Sequence, residues 1–71
     1  MHMPLYLSDS GREVCITRIT GSDSIRSHLE TMGFLVGEWI RVVSRVNENV
    51  IVKIKGVSIA LSHELAKRIF V

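Results

Sequence analysis

Apolar residues in this chain change their spacing twice. Between Ile25 and Met32 they fall at i, i+4 and i+7 (Ile25, Leu29, Met32), the stripe of a helix. On either side they tend to alternate with polar residues, the period of a strand. Arg12 to Ile19 therefore reads as the first strand. Val14 and Ile16 share one parity and Ile19 takes the other. Burying both Ile16 and Ile19 then requires a bulge or sharp bend near Thr17-Arg18. The helix follows from Asp23 to Met32. Ser22 or Asp23 can cap it, because a short side-chain oxygen accepts from an orphan amide of the first turn. A helix of about ten residues is marginal alone, so its stability must come from docking the stripe on the sheet. Gly33 comes next, where a helix end favours a left-handed residue. Phe34 is placed to cap the core, and Gly37 allows the turn into the next strand.

Trp39 to Val46 reads as the second strand, with Ile40, Val42 and Val46 inward and Trp39, Arg41, Val43 and Arg45 outward. Val50 to Lys55 reads as the third. Val50, Val52 and Ile54 face in, and Ile51, Lys53 and Lys55 face out. If Val46 and Val50 are both inward, Asn47-Glu48-Asn49 forms a three-residue loop, with Asn49 in the left-handed region. That register sets Val42 opposite Ile54 and Arg41 opposite Lys55. A two-residue loop would set apolar residues against polar ones. Gly56 with Val57-Ser58 turns the chain again, and Ile59-Ala60-Leu61 is a short fourth strand. Ser62 can cap a single helical turn through Glu64, Leu65 and Ala66, and Ile69-Phe70-Val71 closes the chain as a fifth strand. Upstream, Leu5 is expected against the core, and Ser8-Asp9-Ser10-Gly11 is a turn cluster. Five short strands and one helix suit a small, strongly bent sheet closing as a barrel, because closure hides the edges of short strands.

The chain has 71 residues, near the lower limit for burying an adequate core unaided. One domain over residues 1–71 is expected, with residues 1–4 as a flexible lead. An apolar fraction of 46% argues against disorder. A single Cys excludes an internal disulfide framework and fits a reducing compartment. Runs such as Val50-Ile51-Val52 are far short of the roughly 20 residues that span a bilayer. Met1-His2-Met3-Pro4 lacks the charged and apolar regions of a signal peptide. A cytoplasmic protein is the expectation. Nine Lys/Arg against seven Asp/Glu give a net charge of +2, which permits an acidic partner without demanding one. Weak self-association is left open.

Reactive side chains are sparse. His2, His28 and His63 are the only histidines, and no pair has metal-ligand spacing. His28 and His63 are the candidates if a metal binds at all, with Glu30 or Glu64 beside them; exposed surface histidines are the plainer reading. Cys15 reads as a packing residue. No serine sits in a recognisable relay, and Gly33 and Gly37 follow a helix where a phosphate loop precedes one. Catalysis is not expected. The outer face of the second and third strands is more informative. There Trp39, Val43 and Ile51 lie among Arg41, Arg45, Lys53 and Lys55, a mix suited to a protein or nucleic-acid partner. A plain solvated face is the rival, and Trp39 folding over a barrel rim would remove the anchor.

Residues along the whole chain also match a family pattern. Gly11-x4-Ile16-x2-Ile19-x-Gly21 is followed by Leu29-x2-Met32-Gly33-Phe34-x2-Gly37 and Ile40-x-Val42. Val52-x-Ile54-x-Gly56-x2-Ile59-Ala60-Leu61 and Leu65-Ala66-x2-Ile69-x-Val71 complete the set. From Leu5 to Val71 the chain resembles FeoA, the small accessory protein of ferrous iron uptake. The resemblance implies an SH3-like barrel with a helix after the first strand and a helical turn before the last. It implies a cytoplasmic, non-enzymatic protein that binds and regulates the cytoplasmic part of a FeoB-type membrane iron transporter. The same domain type ends iron-dependent transcriptional regulators, so direct binding of Fe2+ or Zn2+ is the second reading. A nucleic-acid-binding module is the third. The shared motif residues are apolar or glycine, so the resemblance by itself supplies no metal site. Two departures stand out. Many relatives have proline or acidic residues where this chain has Asn47-Glu48-Asn49, and Ser8 sits where an apolar residue is frequent.

Overall fold

Residues 2–71 are described by a computed structural model. Met1, the head of the expected lead, lies outside them. Leu5–Leu7 forms a 3-10 turn that buries Leu5 completely. The elements that follow are β1 (Glu13–Cys15), β2 (Arg18–Ile19), α1 (Asp23–Thr31), β3 (Trp39–Val46), β4 (Asn49–Ile54), β5 (Val57–Ser62), α2 (His63–Ala66) and β6 (Ile69–Phe70). The protein is mainly β and SH3-like, as the sequence suggested. Among the described residues the strands number six rather than five, in a four-stranded sheet ordered β1-β3-β4-β5 and a two-stranded sheet β2-β6. The two sheets do not close into one continuous barrel.

The expected first strand is divided where a bend was anticipated. Through Cys15 the chain pairs with β3, and Ile16 still donates to the Glu38 carbonyl. One residue on, Thr17 donates to the Phe70 carbonyl, and β2 continues against β6. The bend at Ile16-Thr17 is thus the point where the chain changes sheets. Ile16 ends fully buried, and Ile19 half-buried against the core.

Both helices are capped as their sequences specify. Ser22 Oγ accepts from Ile25 N at 3.2 Å, and Ser62 Oγ accepts from Leu65 N at 3.3 Å. At the far end of α1, Gly33 adopts φ +101°. Gly33 N–H donates to Glu30 O at 2.9 Å and Phe34 N–H to Leu29 O at 3.0 Å. This pair of bonds is a Schellman motif, which satisfies carbonyls the helix leaves open. It also reverses the chain so that Phe34 drops into the core beside Leu29, both fully buried. Ile25 and Met32 flank them half-buried, and Met32 caps the helix rather than continuing it.

The β3–β4 hairpin differs from expectation. Its loop is two residues, Asn47-Glu48, and Asn47, not Asn49, has positive φ (56°). Ile40 lies opposite Ile54, Arg41 opposite Lys53 and Val42 opposite Val52. The register then shifts, and Ser44 pairs with Ile51, Arg45 with Val50 and Val46 with Asn49. Val43 is the extra residue of a β-bulge. Apolar and polar residues do face one another near the loop, as a two-residue turn requires, and the bulge restores apolar pairing below it. Val46 is consequently 53% exposed instead of inward. Strand β4 ends at Ile54, and Lys55-Gly56, both at positive φ (51° and 79°), make the next turn. Such a two-residue turn suits the twist of the flanking strands. β5 therefore begins at Val57, earlier than the sequence suggested.

Within the anticipated lead, Met3 and Pro4 are paired with the other end of the chain. Met3 and Val71 exchange backbone hydrogen bonds of 3.0 and 2.8 Å, and Pro4 bridges Phe70. Leu5, Ile16, Leu29, Phe34, Ile40, Val42, Val52, Leu61 and Ile69 form the deepest part of one core.

Two substitutions separate the packing of the α1 turn from its backbone conformation. A methyl added at Gly33 meets open space, so Gly33→Ala should cost only the conformational term, about 1–2 kcal/mol. Phe34→Ala empties a buried site and should cost about 3–5 kcal/mol, a large share of the stability expected for a chain this long. Thermal unfolding followed by circular dichroism should show a modest fall in midpoint for the first and near-complete loss of the transition for the second.

Candidate partner-binding face

Outward residues of β3 and β4 share a face with those of β1 and β5. Cross-strand register aligns Glu13, Arg41, Lys53 and Ser58 in one row and Ile51 with Ala60 in the next. Cys15 lies opposite Trp39. Trp39 is 59% exposed and does not fold over a rim; Val43 is 46% exposed, and Ile51 half-buried. Arg41 and Lys53 stand directly opposite one another, and neither has an ion-pair partner among the described residues. Like charges so placed are destabilising. Lys55, in the turn below, is held by Glu38 at 3.2 Å. Together Glu13, Glu38, Trp39, Arg41, Lys53 and Lys55 line a shallow cleft of about 400 Å3.

Six of the seven sequence candidates, Trp39, Arg41, Val43, Ile51, Lys53 and Lys55, belong to this face or its lower margin. Arg45 does not. Beyond the bulge it takes the parity of buried Val50 and reaches to the N-terminal segment. Its Nη2 donates to the carbonyls of Tyr6, at 2.7 Å, and Ser8, its Nε to Tyr6 at 3.2 Å, and its Nη1 to Ser10 Oγ at 3.0 Å. A planar guanidinium can serve several acceptors at once. Arg45 thus fastens the Tyr6–Ser10 loop over the sheet. Ser8 is buried there, and its hydroxyl has no partner among the described residues. Glu13 and Glu38 were missed by sequence reasoning. Only the β1–β3 pairing and the turn at Gly37 bring their charges beside the basic residues.

His28 is exposed in the last turn of α1. His63 opens α2 and packs edge-on against Tyr6, ring centroids 4.6 Å apart, in a separate groove with Glu64 and Glu48. Among the described residues no three His, Cys, Asp or Glu side chains are grouped to hold a metal ion. Leu29, Met32, Gly33, Phe34, Gly37, Gly56, Ile59, Ala60 and Leu61 serve the core and turns, with Ala60 alone among the apolar ones exposed.

Fold and face together define a small SH3-like β protein with a mixed aromatic and basic sheet surface. The chain belongs to the FeoA family: the FeoA domain matches residues 3–71. A Methanocaldococcus jannaschii protein named as a candidate Fe(2+) transport protein A is 32% identical over 68 residues, covering 96% of this chain and 83% of its own. The crystal structure of an iron uptake regulatory protein, FeoA, superposes with a TM-score of 0.89 at 28% identity, over 99% of this chain and 95% of that one. Stenotrophomonas maltophilia FeoA, solved with zinc and described as an SH3 domain protein, gives 0.81 at 25% identity, over 94% and 86%. The family has an accessory role in ferrous iron transport.

Loss of the Arg45 fastening should be local. Arg45→Met should lower stability by about 1–2 kcal/mol, since charge-assisted bonds to backbone carbonyls are lost. Amide exchange should accelerate from Leu7 to Gly11 and stay unchanged in β4 and β5. Arg45→Lys should rescue little, because an ammonium cannot span the same acceptors.

Proposed function

We propose that this protein is a cytoplasmic accessory and regulatory factor that binds the cytoplasmic part of a FeoB-type ferrous iron transporter through the β3–β4 outer face. The observation that carries the reading is the unpaired Arg41–Lys53 juxtaposition beside exposed Trp39, within a chain that matches the FeoA domain almost end to end. Two like charges set opposite each other lower the stability of the free protein. An acidic partner surface would relieve that cost, and Trp39 would supply a large rigid contact of the kind that anchors interfaces. No helix of the described residues is long and apolar enough to cross a membrane, so contact with a transporter would be made through its water-exposed portion.

The other readings have less support. His28 and His63 lie on separate elements without a third ligand grouped beside them, which disfavours direct binding of Fe2+ or Zn2+. Glu13 and Glu38 interrupt the basic face, which disfavours a nucleic-acid backbone.

Capture of the purified protein by the cytoplasmic part of the transporter tests the proposal. Arg41→Gln combined with Lys53→Gln should weaken binding at least tenfold, about 1.4 kcal/mol, without lowering the thermal midpoint, because Glu13 gains no like-charged neighbour. Arg26→Glu, on α1 away from this face, should bind like the parent. Equal binding by all three proteins would exclude the face.

A further inference from the structure

The four-stranded sheet ends on β5, and no strand among the described residues pairs with its other side. The closing pair of a two-residue hairpin is hydrogen-bonded, so Ile54 and Val57 exchange bonds across the Lys55-Gly56 turn. By alternation Val52 does so with Ile59, and Val50 with Leu61. The N–H and C=O groups of Ser58 and Ala60 therefore point away from β4. None has a backbone partner among the described residues.

Natural sheets usually guard such an edge with charge, proline, a bulge or a very short strand. The opposite edge follows that rule: β1 is three residues long and carries Glu13. β5 does not. Val57-Ser58-Ile59-Ala60-Leu61-Ser62 contains no charge and no proline, and its register with β4 is unbroken. Both Ser58 and Ala60 are exposed, and Val57 is 57% exposed. Charge is instead placed beside the strand. Lys53, without an ion-pair partner among the described residues, lies opposite Ser58; Lys55 is held by Glu38, and Glu64, past the Ser62 end, is held by Lys67 at 3.2 Å.

We propose that β5 pairs antiparallel with β5 of a second copy about a two-fold axis, joining two four-stranded sheets. Antiparallel self-pairing keeps the unpaired Lys53 of one copy apart from that of the other, whereas a parallel arrangement would bring these like charges together. Centred on Ile59, the pairing places Ser58 of each copy opposite Ala60 of the other. Each such pair can exchange both of its backbone bonds. Val57 then faces Leu61 of the second copy on the core side, covering an apolar side chain that the single copy leaves exposed. The contact is narrow, at the low end of interface sizes, so association is weak and concentration-dependent.

The test is sedimentation and amide exchange of the full chain over a dilution series from roughly millimolar protein, where weak interfaces are populated. The mass should rise toward twice that of the single chain. Exchange at Ser58 and Ala60 should slow with concentration, by about fivefold when total protein exceeds the Kd tenfold, while Val57, Ile59 and Leu61 stay protected throughout. Ala60→Pro removes an outward N–H without costing a bond to β4, and Ala60→Lys adds the missing guard. Either should return the protein to a single copy with its thermal midpoint little changed. If the proline variant does not fold, the lysine variant decides. A single-copy mass at roughly millimolar protein, exchange at Ser58 and Ala60 that ignores concentration, or association untouched by the substitutions would overturn the proposal. Because Ala60 pairs with Ile51 at the margin of the Trp39–Lys53 face, it is the dilution series on the unsubstituted chain that separates this test from transporter binding.

Discussion

A strand can present only alternate residues to one side, and β3 has work on that side for residues of both parities. At its start Ile40 and Val42 enter the core. At its end Arg45 must reach, from the same side, to the carbonyls of Tyr6 and Ser8. The extra residue at Val43 reconciles the two by shifting parity between them. It also lets a two-residue loop follow without turning Val50, Val52 and Ile54 out of the core. The N-terminal segment, with Leu5 fully buried and Pro4 against Phe70, lies under the Arg45 bonds. Hairpin register, loop length and the seating of the N-terminal segment are thus one constraint met in one place.

Much of this architecture was legible in the sequence, because local chemistry and tertiary structure agree there. Ser22, the Ile25–Leu29–Met32 stripe, Gly33 and Phe34 each carry a local preference that the fold adopts. Ser62 and the turn after it behave the same way. Reading failed where parity was assumed to run unbroken. Val46 is apolar and was placed inward, yet it lies beyond the bulge and faces water. Nothing in Val42-Val43-Ser44 marks the extra residue, since what determines it is the distant demand for a donor near Ser8. The division of the first strand was only half visible. The parity conflict between Ile16 and Ile19 announced a bend, but not that β2 would find its partner some fifty residues away at β6.

The candidate face was legible in its basic and aromatic residues, and illegible in its acidic ones. Trp39, Arg41 and Lys53 announce themselves by alternation. Glu13 and Glu38 reach the same cleft only through strand pairing and a turn, which single-sequence periodicity does not encode. Arg45 was misassigned for the same reason as Val46. With it removed, the face is less uniformly basic than the sequence suggests, and it fits a folded protein surface with its own mixture of charges better than a polyanion.

The pairing of β2 with β6, extended by Met3 with Val71, bears on how the protein comes into being. The hairpins of β3, β4 and β5 can form from residues that are neighbours in sequence. Leu5, Thr17 and Arg18 cannot reach their final surroundings until Ile69 to Val71 are in place. Until that long-range pairing closes, the N-terminal quarter lacks its partner, its apolar residues open to unintended company. That closure makes Ile69 to Val71 decisive for the whole fold, and a chain truncated just before them would be a target for proteolysis rather than a slightly shortened protein.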